Sequence, residues 1–176
     1  MVASNFQASL KLVLTSEGGN DDDPADHGGR TSRGITQREY TAWLAENHRV
    51  NLDVWKAPQS DIDTIYHDEY WNPWCDSMPI GIDYVFFNNS VLDGPNRAIK
   101  ILQQSLGLAA DGRIGPVTRA AFENADPTNT VIKMSDCSRN FYLSLHQPRF
   151  IKGWLNRVDF VKKNALLMIH TAPATT

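Results

Sequence analysis

The chain has 176 residues, of which 41% are apolar, 17 are Lys or Arg and 20 are Asp or Glu. These proportions exclude a disordered chain, a collagen, a coiled coil and a disulfide-dense scaffold, and they suit one domain or two small lobes. No apolar run approaches the roughly 20 residues of a membrane span, and the N-terminus lacks the basic start and apolar core of a signal peptide. We therefore expect a soluble protein with no leader and no membrane anchor.

The net charge of −3 is unevenly divided along the chain. Residues 1–90 carry 6 basic and 14 acidic side chains, whereas residues 91–176 carry 11 basic and 6 acidic ones. Two explanations stay open: the halves attract each other across an interface, or the basic half faces an anionic polymer. The negative net charge and the absence of a known nucleic-acid-binding motif argue against nucleic acid as that polymer.

In the first half, apolar residues at helical spacing predict a helix over residues 5–16 that is followed at once by Glu17. The glycine- and aspartate-rich stretch after it predicts a loop or a small β-hairpin at about residues 18–35. Thr36 and Glu39 have the spacing of a capping box, which begins a second helix. Ser60 and Asp63 are expected to cap a third helix.

In the second half, residues 82–87 predict a strongly buried helix, and Pro-initiated helices follow it. Gly94-Pro95 starts the first of them, and Gly115-Pro116 starts the second, over Val117–Glu123. Asp126-Pro127 precedes a third that runs to about Leu145, and Pro148 separates the third from a final helix. Residues 171–176 are small and polar and are expected to form a frayed tail. Because β-branched residues fall within helical periods rather than in alternation, the predicted fold class is mainly α.

The chemistry-bearing candidate is Glu17, which ends an apolar helix and precedes two glycines. Partial desolvation and the negative end of a helix dipole both raise the pKa of such a carboxyl, as protonation of a glycosidic oxygen requires. A second carboxylate is then needed as nucleophile or base, and Asp26 is the first choice, ahead of Asp23. Thr31 and Thr36 are candidates for orienting water. Two structural alternatives remain. In one, Glu17 only forms hydrogen bonds to a loop, and in the other, Asp21–Asp23 is a turn exposed to solvent.

Aromatic residues crowd the region between residues 43 and 74, where they either stack on sugar rings or belong to the core. The best candidates for a substrate groove are Tyr66, Tyr70 and Trp71. His67, Asp68 and Glu69 are consecutive helical residues that point in different directions, so they do not predict a metal site. No phosphate loop, zinc-peptidase motif or esterase motif occurs. We expect neither a cofactor nor a metal.

The stretch from Glu17 to Thr36, EGGNDDDPADHGGRTSRGIT, resembles the signature of glycoside hydrolase family 108, the N-acetylmuramidases of bacteriophage endolysins. The resemblance implies a lysozyme-like helical fold and the catalytic-acid role for Glu17. It places Asp26, Thr31 and Thr36 in the same signature.

The second half resembles the peptidoglycan-binding domain that accompanies this family, through the segments GPNRAIKILQQSLG at 94–107, DGRIGPVT at 111–118 and GWLNR at 153–157. The family pattern F-D-x-x-V-N-x-G-P reads differently here, because Asn88 and Leu92 replace its Asp and Asn. A role for Asn88 in substrate binding is therefore an open expectation, and Asp83 or Asp93 are the carboxylates that could compensate.

The resemblance implies a lysozyme that cuts the β-1,4 bond between N-acetylmuramic acid and N-acetylglucosamine in bacterial peptidoglycan, and we expect it to be a monomer. Its expected organisation is a catalytic region at 1–90, a wall-binding region at 91–170 and the tail at 171–176. The protein would wait in the host cytoplasm until it reaches the cell wall, with Cys75 and Cys137 as free thiols. A lytic transglycosylase, a noncatalytic peptidoglycan-binding protein and a secreted antibacterial effector remain alternatives.

Overall fold

Helical periodicity runs along most of the chain, and the structure, a computed structural model, is 73% helical. It describes residues 5–17, 20–21 and 30–172, and the side chains of residues 5–15 and 30–172. The described part contains eight α-helices: α1 Phe6–Glu17, α2 Gln37–Glu46, α3 Gln59–Tyr66, α4 Ile82–Asp93, α5 Pro95–Ser105, α6 Pro116–Glu123, α7 Pro127–Ser144 and α8 Pro148–Thr171. The predicted mainly α, lysozyme-like fold class is confirmed.

A small antiparallel sheet follows α1, where the sequence predicts a loop or a β-hairpin. Its strands are β1 Asn20–Asp21, β2 Thr31–Ser32 and β3 Ile35–Thr36, in that spatial order. The turn between β2 and β3 has positive φ angles at Arg33 (50°) and Gly34 (81°). Two consecutive left-handed residues are what a two-residue hairpin requires to match the twist of its strands.

The chain divides into two compact units, and the first comprises Phe6–Glu69. Helix α1 buries Phe6, Leu10 and Val13 in this unit, and α2 and α3 contribute the largest of its other buried side chains. Those side chains are Tyr40, Leu44, Ile62 and Tyr66. A short 3₁₀ helix at Val54–Lys56 packs against β2 and α2.

The second unit comprises residues 1–5 and Tyr70–Thr176, and α4 is its centre. Nine consecutive residues of α4, from Ile82 to Ser90, are buried, because α5, α7 and α8 all pack against this helix. The buried stretch confirms the predicted helix at residues 82–87. The two units divide between residues 69 and 70, whereas the boundary expected from the sequence lies near residue 90 and stays a prediction.

Helix ends follow the expected chemistry with one exception. The Thr36–Glu39 capping box is present, because each residue's side chain accepts a hydrogen bond from the other's backbone N–H. The four Pro-initiated helices begin at their predicted prolines. Helix α3 instead starts after Pro58 with no side-chain cap, so the expected caps Ser60 and Asp63 are wrong. Asp63 lies inside the helix, where its carboxylate accepts hydrogen bonds from glutamine side chains.

The remaining expectations concern the tail, the cysteines and the membrane. Thr171 ends α8, and residues 173–176 lie outside the described residues, so the predicted frayed tail stays a prediction there. Cys75 is buried and Cys137 half-buried, and both are free thiols, as expected. Among the residues that the structure describes, none of the helices combines the length and hydropathy of a membrane span.

Asp83 is a buried carboxyl at the start of α4, where it accepts hydrogen bonds from the backbone N–H groups of Gly81 and Tyr84, both at 2.7 Å. Burial raises the pKa of Asp83 from 3.8 to about 7, against the effect of these two hydrogen bonds, and the nearby Asp76 adds to the rise. Folding therefore favours the protonated carboxyl.

We predict that the free energy of unfolding falls between about pH 4 and pH 7 through Asp83. Over this range the folded state holds a proton that the unfolded state has released, so rising pH removes stability, by at most roughly 4 kcal/mol. In Asp83→Asn the amide oxygen can accept the same two hydrogen bonds and nothing titrates. Urea unfolding from pH 4 to 8 should show the gap between wild type and variant changing with pH. A constant gap would contradict the prediction, and Asp136→Asn, on the exposed surface of α7, is the control.

Candidate active site

Glu17 is the last residue of α1, so its backbone lies at the negative end of that helix. Strand β1 begins three residues later and pairs with β2, with Asp21 opposite Thr31 and Asn20 opposite Ser32. The chain that leaves Glu17 is thereby fixed beside Thr31. The side chain of Glu17 lies outside the described side chains, so its catalytic role stays a prediction.

Asp23 and Asp26 also lie outside the described residues. In the sequence they fall between β1 and β2, which are antiparallel neighbours. The segment that carries both carboxylates is therefore the connection that closes this hairpin. The pairing of β1 with β2 ties both ends of that connection to the end of α1.

Thr31 and Thr36 are brought together, because they are directly opposite each other in the β2–β3 pair. The Thr36 hydroxyl is engaged in the capping box: it accepts from the Glu39 backbone N–H at 3.2 Å and lies 2.8 Å from Glu39 Oε2. Thr36 thus has a structural task at the start of α2. Thr31 is half-buried, and its carbonyl oxygen accepts a hydrogen bond from the Trp55 indole N–H at 3.2 Å.

The β2–β3 turn is held through Arg33 from two sides. The guanidinium of Arg33 donates to the Gln59 side chain at 2.9 Å and to the Ala57 carbonyl at 2.8 Å, at the start of α3. The Arg33 carbonyl accepts a hydrogen bond from the Tyr66 hydroxyl at 2.8 Å, near the end of α3. These contacts stabilise the left-handed conformation of Arg33, which is unfavourable for a residue with a side chain.

The residues expected to line a substrate groove are largely buried. Trp71 is fully buried, its indole N–H donates to Asp76 at 2.6 Å, and its ring packs edge-on against Phe87. Tyr66 is 2% exposed. Their ring faces are core surfaces and are not available to a sugar, which argues against a stacking role for either. Tyr70 is half-buried and is the member of this group that retains exposed area.

Asn88 lies in the second unit, on the buried helix α4, and is 4% exposed. Its side-chain oxygen accepts a hydrogen bond from Arg157 Nε at 3.1 Å. Asp93, one of the two carboxylates considered as compensating groups, accepts from the Tyr142 hydroxyl at 2.7 Å, and burial raises its pKa. These buried polar groups form hydrogen bonds with other side chains of the second unit. The packing therefore does not support direct contact between Asn88 and a substrate.

Trp55 lies beside the hairpin, although it is not among the aromatic residues that the sequence predicts to line a substrate groove. It is 38% exposed and lies on the 3₁₀ helix next to β2. The Arg30 guanidinium lies 4.6 Å from its ring centroid and is paired with Asp53 at 2.6 Å. A signal for Trp55 existed in the sequence: it falls outside any helical apolar period, whereas Tyr66 and Trp71 fall within one.

Helices α2 and α3 are joined behind the hairpin by a polar cluster. Asp61 is 4% exposed and accepts from the Tyr40 hydroxyl at 2.6 Å and from Arg49 at 2.7 Å. Burial would raise the pKa of Asp61, but these two hydrogen bonds outweigh burial and lower it. Burial and the bond to Asp61 raise the pKa of Tyr40 to about 12. The cluster is an ionised carboxylate with two donors, which fixes α3 and hence the anchors of Arg33.

An open groove of about 430 Å³ runs along α1 beside α3 in the first unit. Gln59 and Asp63 form its polar side, with Gln59 donating to Asp63 at 2.8 Å, and Leu10 and Leu14 are among its apolar residues. The groove follows the helix that ends at Glu17. Elsewhere in the described part, His67 pairs with Asp68, and no three His, Cys, Asp or Glu side chains come together as a metal site would require.

Comparison with known proteins gives a consistent picture. The family model described as Glycosyl hydrolase 108 matches residues 10–94, and the one described as Predicted Peptidoglycan domain matches residues 97–159. Among solved structures, SagA from Brucella abortus is similar to this chain over 96% of this chain and 97% of its own, with 30% identity and a TM-score of 0.79. A search of curated proteins found no match.

We predict that Tyr66→Phe loosens the hairpin without disturbing the core. The variant keeps the buried ring and removes the hydrogen bond to the Arg33 carbonyl, so the free energy of unfolding should drop by about 1 kcal/mol. Amide hydrogen exchange at residues 31–36 should accelerate. Tyr84→Phe is the matched control, because the buried Tyr84 hydroxyl has no hydrogen-bond partner among the described residues. Equal effects of the two substitutions on exchange in the hairpin would contradict the prediction.

Proposed function

The chain belongs to the glycosyl hydrolase 108 family and carries a predicted peptidoglycan domain, and from this premise we propose that it is an N-acetylmuramidase with Glu17 as general acid. The coarser part of this statement, a glycosidase that degrades peptidoglycan, follows from the family. Two finer points are our proposal. The bond that is cut is the β-1,4 bond between N-acetylmuramic acid and N-acetylglucosamine, and Glu17 protonates its glycosidic oxygen.

One observation carries the proposal: Glu17 ends α1 at the point where the chain enters the β-sheet. A carboxyl carried at the C-terminal end of a helix is close to unpaired backbone carbonyls, which favour its protonated form. The β1–β2 pairing then returns the chain to Thr31 after a connection that contains Asp23 and Asp26. An acid and a second carboxylate are thus supplied by adjoining segments, as glycoside hydrolysis requires.

The reaction we propose is general acid catalysis followed by addition of water. The Glu17 carboxyl donates its proton to the glycosidic oxygen while the bond from that oxygen to C1 of the muramic acid breaks and positive charge develops at C1. The oxygen of a water molecule bonds to C1, and the proton released by that water passes to a carboxylate. No cofactor or metal takes part.

We assign the second carboxylate to Asp26, with Asp23 as the less favoured candidate. Either would stabilise the charge at C1, attack C1, or accept the proton of the water. The Thr36 hydroxyl already serves the capping box, so we assign the positioning of water to Thr31, opposite Thr36 in the sheet. Thr36 then contributes indirectly, by holding β3 and α2 in place.

We also propose the organisation and setting of the enzyme. Residues 1–90 form the catalytic region and residues 91–170 the wall-binding region, in a monomeric protein. The enzyme accumulates in a host cytoplasm and reaches the wall once the membrane is opened. The alternative chemistry is that of a lytic transglycosylase, in which Glu17 acts alone and the 6-hydroxyl of the muramic acid attacks C1 to give an anhydro sugar.

We predict that Glu17→Gln abolishes release of soluble fragments from purified cell walls, a loss of at least a hundredfold, because an amide cannot donate the proton. Mass spectra of wild-type digests should show muramic acid at a hydrated reducing end. Anhydro ends would establish the transglycosylase alternative, and N-acetylglucosamine at the reducing end would contradict the assigned bond.

Glu46→Gln, an exposed substitution at the end of α2, is the matched control and should keep full activity. Circular dichroism should show that Glu17→Gln folds as the wild type does. In the same assay Asp26→Asn should lose far more activity than Asp23→Asn. If a folded Glu17→Gln protein clears walls at the wild-type rate, the proposed function is wrong.

We propose Trp55 as a substrate contact, because it is exposed and its indole is bonded to the Thr31 carbonyl. Trp55→Ala should lower kcat/KM on wall fragments by about tenfold, mostly through a higher KM, since one aromatic contact is worth about 1 to 1.5 kcal/mol. Trp55→Phe should restore part of this loss. Val50→Ala, at a position that is 90% exposed, is the control for a surface apolar residue. Unchanged KM in Trp55→Ala would contradict the assignment.

A further inference from the structure

Four aromatic rings of the second unit follow one another at contact distance, and we call them the aromatic row: Phe141, Tyr142, Trp154 and Phe150. The centroids are 5.2 Å apart between Phe141 and Tyr142, 5.3 Å between Tyr142 and Trp154 and 5.7 Å between Trp154 and Phe150. Helices α7 and α8 each supply two of the four.

The geometry of the row leaves parts of its ring faces open. The Tyr142, Trp154 and Phe150 planes are within 30° of their neighbours. Parallel rings in contact are separated by about 3.5 Å perpendicular to their planes, so centroid distances above 5 Å imply sideways offsets of about 4 Å. The rings therefore form steps. Phe150 is 47% exposed, Trp154 and Phe141 are half-buried, and Tyr142 is 3% exposed.

The row is rigid because its buried member is anchored. The Tyr142 hydroxyl donates to the Asp93 carboxylate at 2.7 Å. The crevice beside Trp154 has only about 10 Å³ of free volume, room for about one water molecule. A sugar cannot enter this crevice, so a saccharide must lie on the steps themselves.

Positive charge stands at both ends of the row. The Arg97 guanidinium lies 4.2 Å from the Phe141 centroid, and that of Arg149 lies 5.3 Å from the Phe150 centroid. Between residues 141 and 157 the sequence adds Lys152 and Arg157 and contains no Asp or Glu. Aromatic faces flanked by cations complement a polymer of sugar rings that bears carboxylates.

Gly153, next to Trp154 in the middle of the first turns of α8, supplies an independent observation. A glycine inside a helix costs stability relative to alanine, and packing inside the protein does not explain this one, because a Cβ at Gly153 would meet no heavy atom within 4 Å. Gly153 lies three residues after Phe150, on the same face of α8, and the missing side chain leaves the helix backbone uncovered there. A ligand can therefore approach that backbone closely.

We propose that the aromatic row of the second unit, with Gly153 beside it, binds the glycan strand of peptidoglycan. This rests on peptidoglycan being the substrate, as proposed above. The apolar faces of the pyranose rings stack on the steps of Phe150 and Trp154. Arg97, which covers the Phe141 ring, faces carboxylates carried by the strand, as do Arg149 and Lys152. The same surface of a second copy fits this one poorly, because a symmetric contact would set like charges against each other.

Sedimentation of the full-length protein with purified, protein-free peptidoglycan sacculi tests the proposal. The Glu17→Gln background keeps the walls intact. Phe150→Ser and Gly153→Gln should each weaken binding at least tenfold. Gly153→Gln should not lower the thermal unfolding midpoint, because the position is exposed on a helix. Phe150→Ser loses the contact with Trp154, and circular dichroism should show that it is still folded at the temperature of the assay. Added salt should weaken wild-type binding through the flanking cations.

Phe160→Ser is the matched control, because Phe160 is an exposed aromatic residue of the same helix, 37% exposed and ten residues beyond Phe150. It should bind as the wild type does. Wild-type binding by Phe150→Ser and Gly153→Gln, or equal losses in Phe150→Ser and Phe160→Ser, would overturn the proposal. Glycan strands freed of stem peptides by an amidase should keep the dependence on Phe150. Its loss there, or a dimer that Phe150→Ser dissociates, would also overturn it.

Binding and cleavage are separate readouts. If the wild type releases no fragments yet binds sacculi through Phe150, the proposed muramidase activity fails and the glycan site stands. If the wild type cleaves walls and the row substitutions leave binding unchanged, the activity stands and the glycan site fails.

Discussion

Burial of α4 on every side is the constraint on which the second unit depends. Buried residues, polar ones included, lie on every face of α4, and α5, α7 and α8 surround the helix. The polar residues of α4 must then find partners inside the unit. Asn89 donates to Ser138 of α7, Asn88 accepts from Arg157 of α8, and Asp93 at the end of α4 accepts from Tyr142 of α7. The register of the surrounding helices is specified by these bonds as well as by apolar contact.

The same arrangement decides what the outer surface carries. Because Tyr142 points inward to Asp93, its ring is fixed, and Trp154 and Phe150 of α8 stack outward from it. Arg157, on the next turn of α8 after Trp154, points into the unit and donates a hydrogen bond to the Asn88 side chain. A carboxylate at position 88, as in the family pattern, would pair with Arg157 as an ion pair. Asn88 keeps the hydrogen bond without the charge, so the departure from the family pattern is accommodated as a structural substitution.

In the first unit the hairpin has the corresponding role. Its turn would be unfavourable at Arg33 by itself, and contacts from both ends of α3 compensate for this. Helix α3 is in turn tied to α2 by Asp61, Tyr40 and Arg49. A small sheet of two-residue strands has little stability of its own, so its conformation depends on contacts with the surrounding helices. The carboxylate-bearing connection between β1 and β2 is therefore attached to a rigid frame.

Local signals in the sequence were sufficient for most of the fold. Helix starts at Pro95, Pro116, Pro127 and Pro148 follow from the fixed φ of proline, and the Thr36 box from two side chains three residues apart. Those local signals do not predict which side chains form hydrogen bonds between distant parts of the chain. Gln103 illustrates this: it is 2% exposed, donates to the Asp111 carboxylate and the Arg113 carbonyl, and accepts from the Gly112 N–H.

The aromatic residues of the candidate site show the same limit. Helical spacing places Tyr66 and Trp71 on an apolar face, and only the packing reveals that no part of that face is left for a ligand. Trp55 falls outside any helical apolar period, which separates it from the core aromatic residues. Its place beside Thr31 arises from a hydrogen bond across 24 residues of chain, which only the folded structure reveals. A pattern reports which side of an element is apolar, whereas availability to a substrate depends on what other elements cover.

A polymeric substrate makes a second attachment site useful whatever the arrangement of the two units. Peptidoglycan repeats the same disaccharide along each strand and in neighbouring strands, so a chain held at one repeat meets others at high effective concentration. In the function we propose, the catalytic site releases its product after each cut while the aromatic row keeps the protein on the wall. The division of charge along the chain suits this scheme. The acidic first half carries the carboxylates to which we assign the chemistry, and the basic second half carries the cations that flank the row. Binding by weak stacking and screened charge also lets the protein move to uncut strands, which a single tight site would prevent.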